Sequence, residues 1–281
     1  MIKENGRGKY FAMLDSDDYW HEHNLERLVN FSELNDLDMA VCAIAWFIDN
    51  QNEFKIVRQF EEKYCFDIKD NEIYWPIVYD FLRTTWGKVI RMERLREADF
   101  STYKVNAQDF ISDDTAFTLA NYEKCRRIGS IPDILLYYRV SEGSVTAKYR
   151  PKMLDNNENI YYQQLRLLDN IGDNTEHSRE HIISVFWKAM YDACVALFKS
   201  DFNDEEIIHE IWKMCQMKLS NQLLNIKYEN CSETMRWCMS YVMSLKNKLD
   251  AISDESVKKL QDINRFFERF KGTVISKGCK D

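Results

Sequence analysis

Lys9-Tyr10-Phe11-Ala12-Met13-Leu14-Asp15-Ser16-Asp17-Asp18-Tyr19-Trp20 is the stretch that decides how this chain is read. A short apolar run ends abruptly in three carboxylates within four residues. The run predicts a buried strand. A strand that runs out into acids delivers them to one edge of a sheet, where open α/β folds bind their ligands. On an extended segment Asp15 and Asp17 would point the same way. Two carboxylates on one side suit a hard divalent cation, and a cation there could hold a diphosphate. Because the run is apolar throughout, the strand is expected to be central in its sheet.

Composition sets the limits of that reading. The 281 residues are 45% apolar and 30% charged, with 8 Gly and 3 Pro, which predicts a sizeable core and argues against disorder or a long all-β array. The net charge of −8 disfavours nonspecific nucleic-acid binding, whose affinity comes from phosphate neutralisation. It leaves an anionic substrate open, because a bound metal inverts local charge logic. None of the eight cysteines forms a CxxC, and no Cys/His knuckle spacing occurs, so no zinc site is expected. No signal peptide opens the chain and no apolar run approaches a membrane span, so a cytoplasmic location is the default.

Outward from the acidic stretch, the spacing of Leu25, Leu28, Val29 and Phe31 predicts a helix over His21 to Leu34. Met39 to Phe47 reads as a second apolar strand, with Phe54 to Val57 returning after an Asn50-Gln51-Asn52-Glu53 turn. Glu61 to Asp70 reads as loop. Glu72 to Leu82 reads as a helix interrupted or opened by Pro76. Thr84 to Ile90 is extended and carries Trp86 and Lys88; Met92 to Glu97 is a helical turn. Asp109-Phe110-Ile111-Ser112-Asp113-Asp114 is a second acidic cluster, opening a helix over Thr115 to Glu123. Ile128 to Ile131 and Leu135 to Val140 read as two strands split by Pro132-Asp133. From about Arg150 four or five amphipathic helices follow, one of them capped by Asn203-Asp204-Glu205-Glu206.

The first cluster alone has a plain alternative, an Asp-rich turn capping the next helix. A calcium loop is excluded: Asp15, Asp17 and Glu26 fit positions one, three and twelve, but Tyr19 and Trp20 stand at five and six. A haloacid-dehalogenase-type phosphatase also ends a strand in Asp-x-Asp, but Tyr19 stands where it would carry Thr or Val.

The order of motifs says more. The acidic strand end is followed by Trp86-Gly87-Lys88, then Asp113-Asp114-Thr115-Ala116-Phe117, then Lys124 to Ile131, then Tyr137-Tyr138-Arg139-Val140-Ser141-Glu142-Gly143. Over residues 5 to about 147 this resembles the C-terminal two-thirds of a family 2 glycosyltransferase domain of the GT-A fold. The resemblance implies an α/β fold: a partial GT-A, Rossmann-like mixed sheet with flanking helices over residues 1–149, then an all-α region over 150–281. It implies transfer of a sugar, with inversion, from a nucleotide-sugar donor (a UDP-sugar foremost) to a saccharide or lipid-linked acceptor, in surface polysaccharide synthesis at or near the inner face of the membrane. Asp15 and Asp17 would be the Asp-x-Asp pair that holds Mg²⁺ or Mn²⁺, with Asp15 also near the donor's ribose. Asp114, paired with Asp113, would be the general base. Trp86, Lys88, Tyr138 and Arg139 would line the donor and acceptor pocket. The alternatives are core packing for Trp86, a surface ion pair for Arg139 and helix capping for Asp113-Asp114.

Two departures follow. Many relatives carry a His shortly after the Tyr-Arg; Val140-Ser141 stands there, and His21, His23, His177, His181 and His209 all lie elsewhere. The family's first strand, nucleotide-binding loop and further β-α units, about 70–90 residues, do not precede the acidic strand. The sequence therefore reads as beginning inside the domain. Other readings are a noncatalytic interaction protein built on the helical region, which could also make a homo-oligomer, and a metal-dependent hydrolase using the two acidic clusters.

Overall fold

The computed structural model describes residues 2–48, 54–103, 113–140, 148–203, 206–207, 209–210, 213–214 and 217–224. The chain divides into two compact units: Met1–Ser144 with Tyr162–Arg179, and Val145–Tyr161 with Glu180–Asp281.

The first unit is a mixed sheet with helices. In chain order it contains α1 (Ile2–Asn5), β1 (Tyr10–Ala12), β2 (Tyr19–Trp20), α2 (Asn24–Leu34), β3 (Met39–Ile48), β4 (Phe54–Arg58), β5 (Tyr64–Asp67), α3 (Asn71–Leu82), β6 (Lys88–Arg91), α4 (Met92–Glu97), α5 (Asp113–Tyr122) and β7 (Arg127–Val140). The strand order is β1-β6-β3-β7-β2, with β4 also on β3 and β5 also on β7. The β3–β7 ladder is parallel, and every other ladder among the described residues is antiparallel. β3 is the middle of the core. Its residues from Met39 to Ala45 are essentially inaccessible to water, as a strand covered on both faces requires.

Four sequence expectations change. β1 is not central: it stands at the end of the strand order, beside β6. Its apolar run reflects the face it buries, where Phe11 packs against Phe117, rather than a neighbour on each side. Residues 61–70 are not all loop. Tyr64–Asp67 pairs with β7, burying Phe66 and placing Asp67 opposite Arg127. β7 is one strand of 14 residues. Its register on β3 jumps from Cys42↔Ile131 to Ala43↔Ile134, so Pro132 and Asp133 are accommodated at a bulge. α3 runs unbroken through Pro76, whose missing N–H leaves only the carbonyl of solvent-facing Glu72 without its helical partner.

Asp38, just before β3, is wholly buried and gathers three arginines. Arg91 Nε and Arg94 Nε lie 3.6 and 3.4 Å from its Oδ1. The Arg126 backbone N–H donates to Oδ2 at 2.7 Å, with Arg126 Nε 3.4 Å away. One carboxylate thus joins the starts of β3 and β7 to the end of β6 and to α4.

Two longer helices follow, α6 (Met153–Ile171) and α7 (Glu176–Phe198), and each contributes residues to both units. Within the second unit Tyr161 packs edge-on against Phe186, and the Tyr149 hydroxyl donates to Glu210 at 2.7 Å. Asn203 and Glu206 form the reciprocal pair of a capping box, at 2.9 and 3.0 Å, as the sequence predicts. No helix among the described residues is long and apolar enough to cross a membrane.

Candidate active site

The acids after β1 form a turn, closed by Asp18 N–H donating to the Asp15 carbonyl at 3.2 Å. The extended geometry expected of Asp15 and Asp17 is therefore replaced by a bend, because the chain must reverse to bring β2 onto β7. Asp15 is half-buried and Asp17 exposed. Burial, and then the charge of Asp17, push the Asp15 carboxyl above the usual carboxylate range.

Asp18 anchors the turn. Only 8% exposed, its Oδ1 accepts the Arg139 backbone N–H at 2.9 Å, and its Oδ2 has no hydrogen-bond partner among the described residues. Burial pushes its carboxyl up to about 6; the Arg139 N–H and guanidinium oppose the shift, and the charges of Asp17 and Asp15 add to it. In the sequence Asp18 stands out only as a third acid. The available signal was its position: the last acid before Tyr19, at the point where the turn must grip the sheet.

The Trp-x-Lys element is a tight turn entering β6. Gly87 adopts φ +72°, a left-handed conformation that disfavours a side chain. Trp86 is buried and stacks on Tyr138, with centroids 5.4 Å apart and planes at 28°. The Arg58 guanidinium lies 5.8 Å from the Trp86 ring centroid, a neighbour the sequence did not reveal. Lys88 is 2% exposed, and its ammonium donates to the carbonyls of Phe81 and Thr84. It therefore satisfies the C-terminal end of α3 from within the core. Burial, and then Arg58, push its pKa down to about 7, while Asp114 and Cys42 pull it up.

Asp113 and Asp114 open α5. Asp114 is exposed, and its field reaches Lys88. The Asp113 side chain lies outside the described residues, as do Asp109 to Ser112 and Ser141 to Thr146. α5 is keyed to the Trp-x-Lys turn: the Thr115 hydroxyl donates to Arg83 O at 3.3 Å and the Thr118 hydroxyl to Thr84 O at 2.9 Å. Phe117 packs against Phe11 of β1 and Phe100. The sheet and α5 thus link the predicted site elements: the acid turn to Arg139, Tyr138 to Trp86, and Asp114 to Lys88.

Among the described residues no group of three or more His, Cys, Asp or Glu could hold a metal ion. The acid turn does fit a cation held by one or two carboxylates and completed by substrate phosphates, as Mg²⁺ sites commonly are. The mutual repulsion of Asp15 and Asp17, and the unpartnered Asp18 oxygen beside them, are what such a cation would relieve.

A mixed sheet with an acidic turn at one strand end, and a helix opened by two acids packed against that strand, is the arrangement of a GT-A type fold. The comparisons agree. Residues 4–91 match the family described as Glycosyl transferase family 2, and the fold is of the GT-A type. S. aureus TarS 1-349 in complex with UDP-GlcNAc is similar in structure, with a TM-score of 0.54 at 15% identity over 87% of this chain and 66% of that one. TarS 1-349 alone gives 0.53 at 14% identity, covering 87% and 65%. TarS 1-349 in complex with UDP gives 0.51 at 14% identity, covering 89% and 68%. This chain therefore spans about two thirds of the length of those structures. Among curated proteins no match is found.

Proposed function

We propose that this chain is an inverting glycosyltransferase that moves a sugar from a nucleotide-sugar donor to a hydroxyl acceptor, in the synthesis of a surface polysaccharide. The observation that carries the reading is the Asp18–Arg139 hydrogen bond, with Trp86 stacked on Tyr138 beside it. It gathers an acid turn, an arginine and an aromatic platform from distant parts of the chain. The family match over residues 4–91 and the TarS complexes with UDP-GlcNAc and UDP support a UDP-sugar as donor. The acceptor is a saccharide or lipid-linked hydroxyl.

In this reading Asp114 accepts the proton of the acceptor hydroxyl. The acceptor oxygen forms its bond to the anomeric carbon from one face while the bond to the diphosphate oxygen breaks on the other. The electron pair leaves with the diphosphate. A positioned base of this kind contributes about 10²–10⁴-fold. Arg139 pairs with the diphosphate, and Tyr138, backed by the buried Trp86, supplies the flat face against which a sugar ring or base rests. Asp15 and Asp17 would hold Mg²⁺ or Mn²⁺, which when bound supplies charge neutralisation of the leaving diphosphate. Asp18 fixes the turn that presents them.

The test is UDP release from UDP-GlcNAc, with and without acceptor saccharides, in the presence of Mn²⁺. Turnover that falls at least a hundredfold in Asp114→Asn supports the reading. If UDP, UDP-GlcNAc and Mn²⁺ together leave the melting temperature unchanged and no UDP is released, the reading is overturned.

A further inference from the structure

The end of α5 remote from Asp114 is held by a polar chain that neither the fold nor the proposed chemistry demands. Asp173, in the link between α6 and α7, accepts four hydrogen bonds. Three come from its own neighbourhood: Thr175 N–H at 3.1 Å, Thr175 Oγ1 at 2.8 Å and Ser178 Oγ at 2.6 Å. The fourth comes from Asn71 Nδ2, at the first residue of α3, at 2.7 Å. Asn71 Oδ1 in turn accepts the Tyr122 hydroxyl at 2.6 Å, at the last residue of α5. Asn71, Tyr122, Asp173 and Ser178 are all buried.

The chain has only one sense. A carboxylate that accepts on both oxygens obliges Asn71 to present its NH₂, so the amide oxygen must face Tyr122 and the phenol must donate. Burial favours the neutral form of Asp173, but the Ser178, Asn71 and Thr175 donors together win and hold its carboxyl below the usual range. A second pair reinforces the same end: Glu123, just after α5, accepts from Tyr103 Oη at 2.6 Å and from Asn170 Nδ2 of α6 at 2.9 Å.

We propose that Asp173, Asn71 and Tyr122 are positioning residues for the general base: through them, the segment after the α/β part sets the tilt of α5 and so the place of Asp114. This rests on Asp114 being that base. Asp114 and Tyr122 are eight residues apart in sequence, about 12 Å along a helix axis. Loosening the Tyr122 end by about 5° displaces the first turn by about 1 Å, and a misplacement of that size can cost about 10²-fold in rate. The Asp114 end is keyed through Thr115 and Thr118 to single carbonyls, which can follow such a tilt.

Tyr122→Phe tests this with one atom removed and the ring retained. Circular dichroism and the UDP–Mn²⁺ melting shift check fold and donor binding. The expected result is a kcat at least tenfold lower, a donor KM within twofold of wild type, and faster amide exchange at Phe117 to Leu119. Asp173→Asn, which places an amide against the Thr175 and Ser178 donors, is expected to do the same more severely. Normal kcat with normal exchange overturns the proposal, as does a fall of kcat and UDP binding in parallel with the melting temperature. Asp114→Asn is run alongside. If it lowers turnover while Tyr122→Phe does not, the positioning role alone fails. If Asp114→Asn has no effect, the assignment of the base fails and the positioning role with it. Should the wild type turn over nothing, unaltered amide exchange in Tyr122→Phe still overturns the proposal.

Discussion

Replacing Lys88 with Met tests whether an ionisable group is built into the core beneath the site. The methionine keeps the length of the stem and removes the ammonium. The Thr84 carbonyl would retain the Thr118 hydroxyl at 2.9 Å, whereas the Phe81 carbonyl would keep only a long 3.4 Å approach from Thr84 Oγ1. A buried carbonyl left so costs about 1–3 kcal/mol. The pH dependence is more diagnostic. Burial lowers the Lys88 pKa from 10.5 to about 7 in the folded chain. Between those values the unfolded state binds the proton and the folded state does not, so folding stability rises with pH by up to about 1.4 kcal/mol per unit. The contribution is complete above the unfolded pKa and is lost as pH falls towards the folded one. Lys88→Met lacks this dependence, and its other groups are the same. From pH 7.5 to 9.0 the wild type should gain about 2 kcal/mol over the variant. Urea unfolding followed by tryptophan fluorescence at both pH values measures it. A difference that stays constant within about 0.5 kcal/mol, or that shrinks as pH rises, refutes a depressed, buried lysine.

Two further outcomes are expected. At Gly129 an added Cβ would lie 2.5 Å from Leu37 Cδ1, 2.8 Å from Phe31 Cε1 and 2.9 Å from the Tyr64 carbonyl oxygen, so Gly129→Ala should lower stability by about 1–3 kcal/mol; an unchanged urea midpoint would show that α2 does not pack on β7 as described. Trp86→Leu removes both the Tyr138 stack and the Arg58 contact and should lower stability by about 1–2 kcal/mol; by freeing Tyr138 it should also weaken UDP–Mn²⁺ binding with circular dichroism unchanged; isothermal titration decides, and wild-type affinity would remove Trp86 from the site.

Much of the fold could be read from residues in order. β3 announces itself through ten apolar residues in a row, and α5 through an acid pair followed by helical spacing. Local pattern was insufficient where the deciding partner is distant. β5 is four residues long, too short for periodicity to register beside Glu61-Glu62-Lys63, and its edge pairing with β7 is what makes it a strand. Pro132 reads as a break because sequence shows the missing donor but not the bulge that accommodates it. At the candidate site, residue type and order single out Asp15, Asp114, Trp86 and Tyr138 as proposals, since their chemistry is local. The direction of a side chain was hidden. The resemblance has Lys88 lining the donor and acceptor pocket, whereas its ammonium turns to the end of α3, which only tertiary packing could reveal. Asp18 and Arg58 were missed for the same reason: each matters through what it touches across the sheet.

The arginine-bound Asp38 has a consequence for how the chain is made. The Asp38–Arg126 contact joins residues 88 apart, and the β3–β7 ladder it opens is the only parallel one among the described residues. During synthesis Asp38 emerges well before any of its three arginines, and the strand that completes its surroundings emerges last. A nascent chain ending near residue 120 would hold an apolar β3 with half its covering absent, and a carboxylate still needing water. Closure of the sheet is therefore a late, long-range event of high contact order, and slow folding with a dependence on chaperones during translation is the expected cost of this topology.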